Sequence, residues 1–410
     1  MLSYRNNKLF IDGVPVESLC RKHGTPLYIY SKAQLLNNYR SFNAAFNGVP
    51  HLVCYALKAN SSHALLKLLS GAGAGVDITS GGELYRSLAS GFKPEKIVYA
   101  GIGKTTEEIT YALKTGVMML NMESIEELEQ INRIAGRLGK KAPVAFRVNP
   151  NVNPDTHRYI TTGKSGNKFG IPLADAVGAY KRASELPNIE IVGIHCHIGS
   201  QITKVKPFEL AALRIRSVVD KLNTAGIYLK YIDLGGGLGI TYDKETPPSP
   251  RELKNAVVPV FRDFSGTLVF EPGRYIAGNA AILAAKVVYR KSSGGKNFLI
   301  VDTAMNDLIR PTLYEAYHGI IPVRSASGSK VKVDIVGPIC ESGDFLGKNR
   351  MLPRVEQGGY LAVKCAGAYG FAMSSQYNSR GRAAEVLVDR NKYKVIRDRE
   401  SYKDLVVKEK

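Results

Sequence analysis

Eight short apolar runs, at 51–58, 75–79, 96–100, 117–121, 144–149, 191–198, 231–235 and 267–271, constrain this chain more than anything else in its sequence. Between them lie segments of helical period, such as Ser124-Ile125-Glu126-Glu127-Leu128-Glu129-Gln130-Ile131. A parallel strand covered on both faces reads as an unbroken apolar run, and each parallel pair needs a crossover, usually a helix. Eight such units in succession predict a (β/α)8 TIM-type barrel rather than a doubly wound sheet. Ahead of them Leu27-Tyr28-Ile29-Tyr30 reads as a strand. Ser31, with Gln34 three residues on, has the spacing of a capping box, and Leu35, Tyr39, Phe42 and Phe46 make the apolar stripe of the helix it starts.

After residue 271 the pattern changes. Residues 281–291, 297–303, 331–336, 359–366 and 384–389 read as strands, separated by turn chemistry such as Ser292-Ser293-Gly294-Gly295 and Ser325-Ala326-Ser327-Gly328. With 410 residues, two domains are expected. One is an α/β barrel over 31–270. The other, mostly β, is 1–30 plus 271–410, with the N-terminal segment read as strand and joining it.

The five cysteines, Cys20, Cys54, Cys196, Cys340 and Cys365, form no CxxC pair, which argues against a disulfide framework or a zinc ribbon and for a reducing compartment. The N-terminus has no apolar signal region and no apolar run reaches membrane-spanning length, so a cytoplasmic location and no membrane partner are expected. The net charge of +20 is spread along the chain without a basic run. That pattern predicts no nucleic-acid partner, while favouring a small anionic substrate or cofactor.

In barrels the chemistry sits at the carboxyl ends of the strands. Those ends carry Lys58, Asp77, Arg147 with Asn149, His197, Gly235-Gly236-Gly237, and Glu271-Pro272-Gly273-Arg274. A lysine ending a strand either snorkels into water or is partly desolvated, which exposes the nucleophilic amine that Schiff-base chemistry requires. Its company favours the second reading. The bare amides of Gly235-Gly236-Gly237, read as standing ahead of a helix, make a nest for phosphate. They are not a dinucleotide fingerprint, since Tyr242 stands where a further glycine would fall. Gly103-Lys104-Thr105 and Gly163-Lys164-Ser165 resemble the tail of a P-loop, but Val98 and Arg158 occupy the required upstream glycine.

On a strand His195 and His197 share a face and Cys196 points away, so the three cannot chelate one ion, and no metal is expected. His197 suits stacking on an aromatic cofactor, and His195 a hydrogen-bonded place in the core. Glu271 is placed to keep a heterocyclic nitrogen protonated. A Schiff-base lysine, a phosphate nest, a stacking imidazole and a carboxylate for a pyridinium nitrogen together specify pyridoxal 5'-phosphate.

Four segments, Tyr55-Ala56-Leu57-Lys58-Ala59-Asn60, Gly193-Ile194-His195-Cys196-His197-Ile198-Gly199-Ser200-Gln201, Gly235-Gly236-Gly237 and Glu271-Pro272-Gly273-Arg274, resemble the fold-type III pyridoxal-phosphate decarboxylases. Three more, Met305 to Tyr314, Gly337 to Asp344 and Gly367-Ala368-Tyr369-Gly370, resemble the members of that family that convert meso-2,6-diaminopimelate to L-lysine and CO2, the last step of lysine biosynthesis. The resemblance runs from about residue 9 to residue 390. It departs at Gly381 and Ala383, where the family often has prolines, and touches no chemical position there.

The resemblance implies that Lys58 carries the Schiff base, His197 stacks on the cofactor ring and Glu271 holds the ring nitrogen. Gly236, Gly237 and Tyr369 would bind the phosphate, with Gly273 and Arg274 also at the cofactor. Arg274, Arg310 and Tyr314 would hold the substrate's distal carboxylate near Tyr369, and Glu341 the ammonium beside it. Cys340 would be the general acid, a role a released Lys58 ammonium also fits. In the family Cys340 and Glu341 come from the second subunit, which implies a homodimer with shared active sites. A sister decarboxylase acting on ornithine, arginine or carboxynorspermidine, an alanine racemase and a non-catalytic regulator remain alternatives. Arg310 and Tyr314 would be wasted on ornithine, a racemase lacks its usual second tyrosine base here, and regulators usually lose the lysine or the acid.

Overall fold

The computed structural model describes residues 1–154, 168–325 and 328–410. The chain divides into two compact units, one of residues 39–240 and 246–275, the other of residues 1–38, 241–245 and 276–410.

In the first unit the eight apolar runs form eight parallel strands: His51–Ala56, Gly75–Ile78, Ile97–Tyr99, Met119–Met122, Ala142–Asn149, Ile189–His195, Tyr231–Asp233 and Thr267–Phe270. Each pairs with the next, and the last returns to the first with Leu268 opposite His51, which closes the barrel. Residues Ile171–Pro172 add a short parallel strand beside Ala142–Asn149.

The helices between them start where the capping chemistry lies. Ser80, Thr105, Ser124 and Ser249 each accept a hydrogen bond from the backbone N–H three residues on, leaving fewer orphaned donors at the helix ends. Helix Ile125–Arg137 buries Leu128, Ile131, Ile134 and Ala135, the stripe its period predicts. Cys54, Val98, Met119, Ala145, Val192 and Val269, from six of the eight strands, make one packed cluster. Alternation then places Arg147 on the face of Ala145 and Glu271 on the face of Val269, one step nearer the carboxyl ends. A register shift between Ile191 and Gly193 lets Val192 join that cluster.

The second unit is mostly β. Its sheet runs in the order Phe345–Pro353, Lys330–Val336, Lys296–Val301, Ala281–Ser293, Leu27–Ser31, Ala384–Asp389, Lys392–Arg397. The N-terminal strand Leu27–Ser31 therefore sits within the C-terminal sheet, antiparallel to one neighbour and parallel to the other. The Ser31 hydroxyl caps the helix Lys32–Ala45, accepting from Gln34 N at 3.0 Å.

Two local expectations fail. Residues 1–30 are not all strand, because Val16–His23 is a helix that buries Val16, Leu19 and Cys20, a helical spacing. Strands Ile320–Pro322, Phe345–Pro353 and Lys392–Arg397 lie where no strand was expected. The turn at 325–328 falls partly outside the described residues, and Gly163-Lys164-Ser165 wholly so. Among the described residues no helix is long and apolar enough to cross a membrane.

Candidate active site

The strand ends of the barrel bring Lys58, Asp77, His195, His197, Asp233 and Glu271 into one polar cluster. Lys58 follows the first strand on a single 3-10 turn, Leu57–Ala59. Its Nζ donates to Oδ2 of Asp77, whose side chain is fully buried. Burial and the nearby Glu271 charge raise the Asp77 carboxyl, and Lys58 partly offsets them.

Glu271 directly follows the eighth strand and is 4% exposed. Burial alone would raise its carboxyl, but His195 and Lys58 outweigh that and hold it ionised, well below the usual carboxylate range. Asp233, one strand away and fully buried, moves in the opposite direction, raised first by burial and then by the Glu271 charge. Two buried carboxyls this close share one charge between them, and here Glu271 keeps it. Among the described residues, Oδ2 of Asp233 and Oε1 of Glu271 have no hydrogen-bond partner. A buried anion with an open lone pair calls for a cationic N–H.

His195 is buried, and its Nε2 faces Oε2 of Glu271 at 3.5 Å, within ion-pair reach. Its close companions are Asp233 and Glu271 rather than its sequence neighbours. His197 is oriented by backbone: Gly236 N donates to its Nδ1 at 3.1 Å. The accepting Nδ1 leaves the proton on Nε2. Burial in the barrel mouth, then Arg147 and Lys58, push its pKa well down, so a neutral, flat imidazole stands there.

The glycine nest is built by close approach. A Cβ at Gly236 would stand 2.2 Å from the Glu271 carbonyl oxygen, and one at Gly237, whose φ is +114°, 2.6 Å from that of Gly199. Neither position accepts a side chain. Asp233 shapes the turn by accepting from Gly235 N at 2.9 Å. One expectation is corrected: no helix follows the nest directly, since the next one is Pro250–Val257. The amides alone, without a helix terminus, offer the anion site.

Arg274 begins a four-residue helix, is 5% exposed, and donates from Nη2 to Ser200 Oγ at 3.0 Å. Arg147 is buried against Glu123 at 3.1 Å, with its guanidinium 4.5 Å from the Phe169 ring centre. Lys104, from the dismissed P-loop resemblance, is a structural tie, with Nζ bonded to Gly101 O, Asn121 O and Glu127 Oε1.

In the second unit Arg310 is buried and starts a short helix, Arg310–Tyr314, while Tyr314 and Tyr369 are partly exposed. Tyr369 is held at a φ of 55°. Cys340 and Glu341 are exposed on a turn: Asn378 Oδ1 accepts from Cys340 N at 3.1 Å, and the Tyr377 hydroxyl donates to Glu341 Oε1. Sequence reasoning passed over Asp233, Tyr242 and His318. A carboxylate inside the run Tyr231-Ile232-Asp233-Leu234, two residues before a glycine triplet, was a usable signal for the first. Nothing local marked the other two.

A closed parallel barrel whose strand ends carry an amine, an ionised buried carboxylate and a bare-amide nest defines a cofactor-dependent barrel enzyme. Residues 32–278 match the family model described as the pyridoxal-dependent decarboxylase, pyridoxal binding domain. The diaminopimelate decarboxylase of Aquifex aeolicus is 50% identical over 408 residues, covering 99% of this chain and 96% of its own. A crystal structure of diaminopimelate decarboxylase from M. jannaschii, in co-complex with L-lysine, superposes with a TM-score of 0.96 at 40% identity, over 100% of this chain and 97% of that one. That of Helicobacter pylori, also complexed with L-lysine, gives 0.93 at 39% identity over 95% and 98%. The chain belongs to the pyridoxal-dependent decarboxylase family, in its diaminopimelate decarboxylase branch.

Proposed function

We propose that this chain decarboxylates meso-2,6-diaminopimelate at its D-centre to give L-lysine, using pyridoxal phosphate held by the barrel unit. The observation that carries the reading is the site's charge pattern: an amine on buried Asp77, beside a buried, ionised Glu271 with an open lone pair. The accepting Glu271 carboxylate fits a protonated pyridine nitrogen, and the donating Gly236–Gly237 amides fit a phosphate. The bound cofactor supplies the sink for the electron pair left when CO2 departs.

The chain's own residues do the rest. Lys58, its amine reachable at the barrel mouth, would hold the cofactor and would serve as the free base near the substrate. Asp77, raised by its burial, accepts and returns that amine's proton. Glu271, held ionised, would keep the ring nitrogen protonated, while Asp233 is driven toward its neutral form beside it. His197 would stack on the cofactor ring as a neutral imidazole that does not compete with Glu271 for charge. Gly273 and Arg274 would line the cofactor on the barrel side, and Tyr369 would contact its phosphate.

In the other unit Arg310 and Tyr314, with Arg274 and Tyr369, take the distal carboxylate, and Glu341 the ammonium beside it. A buried guanidinium at Arg310 would find no partner on ornithine, which disfavours the sister decarboxylases. Cys340 is the general acid. Its exposure, with that of Glu341, supports a homodimer in which each chain's Cys340-Glu341 serves its partner's site. Five cysteines without a CxxC pair fit a reducing, cytoplasmic setting. An absorbance spectrum with added pyridoxal phosphate, and an assay of meso-diaminopimelate against ornithine, test the reading. A protein that the cofactor cannot colour, or one that prefers ornithine, defeats it.

A further inference from the structure

His318 has no part in the roles above, yet it is fully buried, four residues past the short helix that begins at Arg310. Its Nδ1 lies 2.8 Å from the carbonyl oxygen of Lys364. A carbonyl only accepts, so Nδ1 carries the proton. Its Nε2 lies 2.8 Å from Nη1 of Arg310. A guanidinium only donates, so Nε2 accepts. The two neighbours fix both the tautomer and the neutral state of the ring.

A second element holds the same guanidinium. The ring centre of Tyr242 is 4.7 Å from the Arg310 guanidinium carbon, and that ring meets His318 edge-on at 5.2 Å and 76°. Arg310 itself is 4% exposed. An in-plane acceptor at one nitrogen and an aromatic face against the plane restrict rotation about both axes of the fork. An acidic residue at 318 would orient the arginine equally well but would neutralise it. A neutral imidazole orients it and adds no charge.

We propose that His318, backed by Tyr242, is the positioning residue that aims Arg310 at the substrate's distal carboxylate and so sets the preference for ligands bearing that group. The proposal rests on the reading that Arg310 takes this carboxylate. Bidentate recognition of a carboxylate tolerates only about 10–20° of misalignment, so loosening the fork weakens binding without removing the charge.

The test compares wild-type holoenzyme with His318→Phe, His318→Gln and Tyr242→Leu. The readouts are kcat and KM for meso-diaminopimelate, and inhibition constants for L-lysine, which keeps the carboxylate, and cadaverine, which lacks it. His318→Phe should raise KM and the L-lysine inhibition constant roughly 10-fold, moving kcat and the cadaverine constant less than about 2-fold. His318→Gln, whose amide both accepts and donates, should recover much of the loss. Tyr242→Leu should shift the same ratio by a smaller factor and decides the matter if His318→Phe does not fold. Equal losses for L-lysine and cadaverine, or no change in their ratio, overturn the proposal. Wild-type protein inactive on diaminopimelate would instead overturn the functional reading beneath it.

Discussion

The Lys58 ammonium and the Asp77 carboxylate form an ion pair in which the acid is fully buried while the lysine side chain stays 36% exposed. The asymmetry leaves the amine reachable from the barrel mouth and fixes its direction from below. Asp77→Asn should therefore keep the fold and lower kcat by about 10²-fold, the usual weight of a positioned proton acceptor. Steady-state kinetics beside a melting curve check it.

Covalent attachment is expected at Lys58. Borohydride treatment of protein loaded with pyridoxal phosphate should fix the label on the peptide containing Lys58, and Lys58→Ala should remove both colour and label. Label on another lysine would contradict the assignment.

Asp233 and Glu271 should respond differently to neutral isosteres. Asp233 is driven toward its protonated form, so Asp233→Asn should retain most cofactor affinity. Glu271 is held ionised, so Glu271→Gln should lose about 10²-fold or more in kcat. Titrating cofactor into each variant, with kinetics alongside, separates the two.

Asp307 gives a pH signature in the second unit. It is 2% exposed, accepts from Ala304 N at 3.0 Å, and burial pushes its carboxyl up from 3.8 to about 7. The folded state holds this proton more tightly than the unfolded state does. Its stabilising contribution is therefore complete below the unfolded pKa and is lost as pH rises through about 7, as much as about 4 kcal/mol in all. Asp307→Asn should flatten the fall in denaturant stability between pH 4 and 7.

Shared active sites predict complementation. Lys58→Ala and Cys340→Ala should each be nearly inactive, and random exchange between them should restore up to about one quarter of wild-type activity, since one site in four is then intact. Proven exchange without recovery would place each whole site within one chain.

Much of the architecture was legible because barrel strands announce themselves locally. The runs at 51–58 and 267–271 are apolar because both faces are covered, and Lys58 and Glu271 stand out because charge at the end of such a run is costly without a task. The helix Val16–His23 was missed because Val16, Leu19 and Cys20 carry its whole apolar signal in little more than one turn. The strand Phe345–Pro353 was missed because Phe-Leu-Gly-Lys-Asn-Arg-Met-Leu-Pro does not alternate. Its partner, Lys330–Val336, supplies the pairing that makes it a strand.

The sequence by itself determined the eight-fold alternation, the chemistry at the strand ends and the family, since all three are written in short contiguous segments. Only the tertiary structure decided which groups share a charge. Asp77 is 19 residues from Lys58, and His195 reaches past its neighbours to Asp233 and Glu271. His318 finds Arg310 through a turn with no period at all. Hydrogen bonds and buried charges act through a few ångströms of space, and sequence separation carries no record of that distance.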